Sequence, residues 1–251
     1  MSRPAHLIPR KAMVLAAGLA TRMRPLTDTT AKPLLPLMGR TLLDHALDRL
    51  AAVGVETVVV NAFWQAEKVL GHLAARPAPP RTIASRETAL LDTGGGVRNA
   101  LPLLGDQPFF VVNGDAFWLD GACPALTRLA AAFDDSVDAV LLLHRTVQVQ
   151  AETGPGDFAL DAWGVPKRRG ERQTVPYIYA GLQIVSPSLL REMPDGAFGM
   201  NRAWDRALAH GRLKAIVHDG LWFHLSTPAD LADAEENLRA QHAGHGVATW
   251  H

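Results

Sequence analysis

A chain of 251 residues in which 25 basic side chains balance 25 acidic ones has no formal net charge, which excludes a global field drawing it to nucleic acid or an anionic membrane and favours a small, locally bound substrate. One cysteine, Cys123, excludes an intrachain disulfide and agrees with a reducing compartment, so the cytoplasm is the expected location. No apolar stretch approaches the roughly 20 residues that cross a bilayer, and Met1 to Arg10 lacks the hydrophobic centre of a secretion signal.

In chain order, Ala12 to Ala17 reads as a buried strand, Leu42 to Val53 as a helix with Leu43, Ala46, Leu47, Leu50 and Ala51 at helical spacing, and Thr57 to Asn61 as a strand again. Trp64 to Ala74 continues as helix, Pro77 to Pro80 breaks it, Arg81 to Ser85 is a short strand and Gly94 to Leu104 a helix. Phe109 to Asn113 and Ala139 to Leu143 are buried strands flanking a helical pattern from Cys123 to Phe133. This βαβ rhythm predicts an α/β fold, Rossmann-like and three-layered, with a mostly parallel central sheet.

After about residue 150 the pattern changes to a small β insertion. Asp157 to Trp163 and Thr174 to Val185 are strand-like, and the charged run Lys167 to Arg172 between them reads as a hairpin tip in water. Asn201 to His210 reads as a helix capped by Asn201, and Thr227 to Ala240 as a stronger one with Thr227 as cap and Pro228 in its first turn. The expected organisation is one domain over residues 11–240, with a flexible N-terminal tail at 1–10 and a C-terminal tail at 241–251 in which His242, His245 and His251 face solvent.

The chemistry collects at strand ends. Gly18 at a strand exit lets backbone N–H groups approach an anion, and Thr21, Arg22, Arg24 and Lys32 follow it in a polar loop, with donors and charge suited to phosphate oxygens. On composition alone, a strand-to-loop connection with solvated basic residues accounts for them as well. Phe109 to Val112 lead into Asn113, Gly114 and Asp115, where the carboxylate either caps a turn or reaches a phosphate-bound cation. Leu91-Asp92-Thr93-Gly94-Gly95-Gly96 places three glycines ahead of a helix whose N-terminus favours negative charge. It is no Walker loop, and Gly18-Leu19-Ala20 fails the dinucleotide pattern. In an open α/β sheet these strand ends, with Asn61 to Trp64, share one cleft.

The run Leu15-Ala16-Ala17-Gly18-Leu19-Ala20-Thr21-Arg22, continuing through Pro25-Leu26-Thr27 to Lys32-Pro33, resembles the signature of sugar-1-phosphate nucleotidyltransferases. It departs from it at Ala20, where that family has glycine, so the loop is expected to ride slightly farther from the phosphates or use a neighbouring amide. The Asp92-Thr93-Gly94-Gly95-Gly96 loop, Gly156-Asp157-Phe158, the strand with Gly181, and Trp222 to Pro228 resemble N-acetylmuramate-1-phosphate uridylyltransferases in the same order, so the resemblance spans roughly residues 11–240. It implies transfer of a nucleotidyl group from a nucleoside triphosphate, UTP first among them, to a sugar 1-phosphate with release of pyrophosphate, within peptidoglycan recycling. It implies catalytic roles for Arg22, Lys32 and Asp115, with Asp115 holding Mg²⁺. Leu15, Ala16, Ala17, Gly18, Ala20, Thr21, Gly94 and Gly95 would line the nucleotide, and Glu87 would read the base. Asn113, Asp157 and Gly181 would border the sugar, although Asp157 can equally pin its own hairpin.

His224 departs from the family text, which has an aspartate there as a second magnesium ligand. Magnesium prefers oxygen, so the imidazole either reaches the metal through water, binds a softer ion such as Mn²⁺, donates to phosphate, or marks a site that has lost turnover. No covalent intermediate is required, because a sugar phosphate is already anionic and catalysis reduces to positioning and charge neutralisation. Guanylyl or cytidylyl transfer to mannose or heptose 1-phosphate or to phosphocholine fits the same architecture, as does a sugar-nucleotide sensor. The expected partners are small molecules, with no nucleic acid and no membrane.

Overall fold

Among the described residues a nine-stranded sheet forms the centre of the molecule. The computed structural model describes residues 8–149, 151, 152 and 154–244, so the tail residues 1–7 and 245–251 and the side chain of His242 lie outside it. Lys11–Leu15 (β1) leads into a long loop with two 3-10 turns, Thr21–Met23 and Lys32–Leu34, then the small hairpin Pro36–Leu37 (β2) and Arg40–Thr41 (β3). Leu42–Ala52 (α1), Thr57–Ala62 (β4), Ala66–Ala75 (α2) and Arg81–Arg86 (β5) complete two βαβ steps. Asp92–Asn99 (α3) and Leu101–Leu104 (α4) precede Phe109–Asn113 (β6), Phe117–Leu119 (β7), Ala125–Ala132 (α5) and Ala139–Arg145 (β8). Phe158–Leu160 (β9), Pro166–Arg168 (β10) and Tyr177–Val185 (β11) form the insertion. Pro187–Arg191 (α6), Met200–Ala209 (α7), Leu213–Val217 (β12), Leu221–Phe223 (β13) and Pro228–Gly244 (α8) close the chain.

The heart of the sheet, β5-β4-β1-β6, is parallel, and β11 joins β6 antiparallel. Strand β8 pairs with β11, and β12 lies parallel to β8 at the sheet's other arm. Both faces are covered, which is why β1 is apolar after Lys11: Ala12 and Val14 enter a core with α1, α2 and α5, whereas Met13 enters one with α3, α6 and α7. A third core, with Met23, Leu37, Phe117, Leu225 and Leu231, seats α8 beneath the β1 loop.

Caps fix the helices that frame the cleft. The Thr41 hydroxyl accepts from the Asp44 amide at 3.0 Å to open α1. At α8 the expected Thr227 cap is present: Thr227 Oγ1 accepts from the Asp230 amide, while Asp230 Oδ2 accepts from the Ser226 and Thr227 amides. That helix runs to Gly244, beyond the expected boundary at 240.

Three local expectations are corrected. The triple glycine is not a loop ahead of a helix but the first turns of α3 itself. Helix α7 is capped from Gly199, one position before its Met200 start, and not by Asn201. The hairpin between β9 and β10 turns at residues 161–165, where Asp161 Oδ1 accepts from the Trp163 and Val165 amides. The basic run therefore begins on a strand, with Arg168 over the Phe158 ring and paired with Asp205, while Arg169 donates to the Gly156 carbonyl at 3.0 Å. Stacking and hydrogen bonding half-bury Arg168 and Arg169, while Lys167, Glu171 and Arg172 stay exposed as expected. No helix among the described residues is long and apolar enough to cross a membrane.

Candidate active site

The loop after β1 is held by its neighbours at several points. Strand pairing sets Leu15 beside Asn61 on one side and Asn113 on the other. Asn61 Oδ1 accepts from the Ala16 amide at 2.7 Å, and the buried Thr27 hydroxyl donates to the Ala20 carbonyl at 2.9 Å. Trp64 and Gln65 donate to the carbonyls of Thr27 and Asp28. Gly114 is required where β6 meets this loop, since a Cβ there would lie 2.6 Å from the Leu15 carbonyl oxygen and 2.9 Å from the Pro33 ring. That close approach brings Asp115 to Lys32.

Ala20 adopts φ 48°, ψ 47°, the left-handed region that glycine occupies without strain. The family's glycine at this position thus has a conformational reason, and the alanine keeps the turn at a cost of about 1 kcal/mol.

Two cavities meet at the centre of the sheet's carboxyl edge. The larger, about 530 Å³, is bordered by Leu15, Ala16, Ala17, Gly18 and Ala20 on one wall and by Leu90, Asp92 and Thr93 on the other. The smaller, about 200 Å³, holds Asp157, Gly181, Trp222 and His224. Arg22, Lys32, Asn113, Asp115 and Ser226 border both. At the junction the ammonium of Lys32, whose side chain is 11% exposed, donates to Asp115 Oδ2 at 2.5 Å. A buried cation and a carboxylate therefore face the point where the two cavities join.

Not every expected residue lies there. Thr21 opens a 3-10 turn on the surface and borders neither cavity. The amides of Gly94 and Gly95 both donate to the Phe198 carbonyl, at 2.8 and 2.9 Å, so they are committed within the protein. A Cβ on Gly94 would fall 2.4 Å from the Phe198 ring, and one on Gly95 would fall 2.4 Å from the Gly196 carbonyl oxygen. These glycines let α3 press against the 196–198 segment and act on the cleft through Thr93 and Ala197, which do line it. Glu87 is 5% exposed and borders neither cavity, and its carboxylate accepts from Asn61 Nδ2 at 2.7 Å and from the Leu91 amide at 3.3 Å.

Asp157 Oδ2 accepts from the Tyr179 amide at 2.9 Å, so it pins the insertion to β11 at the rim of the smaller cavity. Gly181 sits at φ +83° in a β11 irregularity, and a Cβ there would stand 3.1 Å from Ala116 and 3.2 Å from Asn113. His224 packs on Trp222, with ring centroids 5.6 Å apart. Burial holds its imidazole below the ordinary value, Lys32 and Arg22 add to this, and Asp230 and Asp115 oppose it. The ring is therefore a neutral donor or acceptor near neutral pH. Among the described residues no cluster of three His, Cys, Asp or Glu side chains forms a protein-only metal cage. One carboxylate at a phosphate site still suits Mg²⁺, which takes one or two carboxylates and fills its octahedron with water and phosphate oxygens.

Sequence reasoning put Asn61 and the segment before Gly94 in the cleft without giving Asn61, Leu90, Asp92 or Thr93 a role of its own, and gave none to Ser226. Asn61 was signalled by its register beside Leu15. Asp92 has φ +60° and turns its Oδ1 to the Thr93 amide, a local turn that composition does not announce.

Residues 12–152 match the MobA-like NTP transferase domain. Over 235 residues the chain is 41% identical to the N-acetylmuramate alpha-1-phosphate uridylyltransferase of Caulobacter vibrioides, covering 92% of this chain and 97% of that one. It is 35% identical over 230 residues to the protein of the same name from Neisseria meningitidis serogroup B, covering 90% and 96%. A crystal structure of UDP-glucose pyrophosphorylase complexed with UDP-glucose shares the fold, with a TM-score of 0.75 over 93% of this chain and 99% of that chain at 14% identity.

Proposed function

Because the chain belongs to the MobA-like NTP transferase family, and within it to the sugar-1-phosphate nucleotidyltransferases, we propose that it transfers a uridylyl group from UTP to N-acetylmuramate 1-phosphate, giving UDP-N-acetylmuramate and pyrophosphate. The observation that carries this reading is the junction itself: two cavities of unequal size share Arg22, Lys32 and Asp115. The larger suits a nucleotide and the smaller a sugar phosphate, so their phosphates come together at one buried ammonium.

A phosphate oxygen of the sugar attacks the α-phosphorus of UTP. The new P–O bond forms as the bond from that phosphorus to the bridging oxygen of pyrophosphate breaks, and the electron pair leaves on pyrophosphate. The nucleophile needs no general base. Lys32 holds the α-phosphate, and Arg22 takes up charge on the departing pyrophosphate. Asp115 would hold Mg²⁺ together with phosphate oxygens, and His224 is placed to act on phosphate or on metal-bound water. When bound, the ion would supply further neutralisation of phosphate charge. Arriving substrate phosphates give Lys32 a new partner and release Asp115 from the ion pair seen at 2.5 Å. The setting that follows is cytoplasmic, in the recycling of peptidoglycan sugars.

The test is pyrophosphate release from each of UTP, CTP, GTP and ATP with N-acetylmuramate 1-phosphate and Mg²⁺ or Mn²⁺. Release with UTP is expected to exceed the others. Release with GTP on mannose 1-phosphate but not with UTP would overturn the reading, and saturable binding without turnover under either ion would leave a sensor in its place.

A further inference from the structure

Arg22 and Lys32 are the only lysine or arginine side chains, among the described residues, that border either cavity of the junction. The proposed function commits both of them, Lys32 to the α-phosphate of the triphosphate and Arg22 to the departing pyrophosphate. A sugar 1-phosphate brings a second anion to the same place, and its oxygens need donors of their own. The turn from β13 into α8 supplies two. Leu225 is 4% exposed and joins Met23, Leu37 and Leu231 in the third core, while its neighbours His224 and Ser226 both border the smaller cavity.

The backbone donors at this turn are already engaged. Ser226 and Thr227 both donate their N–H groups to Asp230 Oδ2, at 2.9 and 2.8 Å, and Thr227 Oγ1 accepts from the Asp230 amide at 3.2 Å. What remains at the head of α8 is the Ser226 hydroxyl. Ser226 is 6% exposed and borders both cavities, and its hydroxyl meets no hydrogen-bond partner among the described residues. The His224 ring packs on Trp222, and its nitrogens likewise meet no partner among the described residues. A hydroxyl and a neutral imidazole each carry one hydrogen to donate. We infer that His224 and Ser226 form a paired donor site for the phosphoryl group of the sugar 1-phosphate, separate from Lys32 and Arg22. Neutral donors orient that group without neutralising the oxygen that attacks. The inference rests on the proposed function for the sugar phosphate as occupant of the smaller cavity and for the roles of Lys32 and Arg22.

Removing each donor while keeping its shape tests the pair. Ser226→Ala and His224→Phe are each expected to raise the KM for sugar 1-phosphate about tenfold or more, the size of a hydrogen bond to a charged group, with the triphosphate Kd from calorimetry unmoved and thermal melting confirming the fold. Ser226→Thr and His224→Gln, which return a donor, are expected to recover most of that loss. Calorimetry with the sugar 1-phosphate and with the same sugar lacking phosphate separates a phosphate contact from a sugar contact: the donor-less variants should narrow the gap between the two ligands. A titration with Mg²⁺ and with Mn²⁺ separates phosphate from metal, since the raised sugar KM of His224→Phe should persist at saturating ion. An unchanged sugar KM in either donor-less variant, equal weakening of the phosphate-free sugar or of the triphosphate, or a loss that saturating metal abolishes would overturn the inference. A wild-type protein that turns over a different triphosphate and sugar 1-phosphate would instead defeat the uridylyl-transfer reading, and the same comparisons would then be read with that pair.

Discussion

The larger cavity takes one wall from a single stretch, Leu15 to Met23, whereas the smaller cavity gathers Asp157, Gly181 and His224 from three places far apart in the chain. On the first wall the strand exit itself makes the site, with short side chains and backbone held from behind by Asn61 and Thr27. On the sugar side the site exists only once β11, β13 and the β9–β10 insertion have packed together. The shared residues Arg22, Lys32 and Asp115 belong to neither style alone, since Lys32 reaches Asp115 only through the close approach at Gly114. On the proposed function, chemistry common to both substrates sits where the local and the assembled parts touch, and discrimination between sugars sits in the assembled part.

Removing the junction should break both sides together. Lys32→Ala, Asp115→Ala and Arg22→Ala are each expected to lower kcat for pyrophosphate release by about 10²-fold or more, as the loss of a charged group at a developing anion does, while thermal melting confirms the fold. Gly181→Ala should separate the sides. A non-glycine residue at φ +83° costs about 1–2 kcal/mol, and crowding against Ala116 and Asn113 should raise the KM for sugar 1-phosphate about tenfold with the triphosphate KM unchanged. Loss on both sides would erase the comparison.

Smaller effects sharpen it. Ala20→Gly relieves the left-handed turn in the nucleotide loop but loosens the unfolded chain, for a net gain of about 0.5 kcal/mol and a rise of roughly 1–2 °C in melting temperature. Beneath the sugar cavity His144 packs against His218 and Trp222, with ring centroids 5.8 Å apart in each case. Burial, with His218 and Arg145 adding, pushes its imidazole down to about 4 from an ordinary 6.5. The unfolded chain therefore takes up the proton first, so this group costs nothing above pH 6.5 and lowers stability as pH falls from there toward 4. A melting series across that range should show a shallower fall for His144→Phe than for the wild type.

The parallel heart of the sheet was legible because β1, β4 and β6 carry the apolar runs Ala12 to Leu15, Val58 to Val60 and Phe109 to Val112, as strands covered on both faces do. The Phe109–Asn113 strand matches its expected bounds; strand ends placed Arg22 and Asp115 in one cleft, and the family resemblance added Lys32 and singled out the trio, which the structure brings together. The partners of Glu87 and of the glycine triplet were not legible, for a shared reason. Sequence shows that a carboxylate or a flexible backbone is present but not which neighbour it satisfies, and here Asn61, Leu91 and Phe198 had the stronger claim. The hairpin was misplaced because Lys167 to Arg172 carries charge, whereas Asp161 supplies the turn's hydrogen bonds. Strands β7, β12 and β13 are short or half-buried and left no periodic signal.

The division of the cleft is tested most directly by a crystal structure with UDP-N-acetylmuramate bound. The account predicts uridine in the larger cavity between Ala17 and Thr93, the diphosphate at Lys32 and Asp115, and the sugar against Gly181 beside His224. A sugar lodged between Ala17 and Thr93, or a diphosphate that does not reach Lys32, would contradict it.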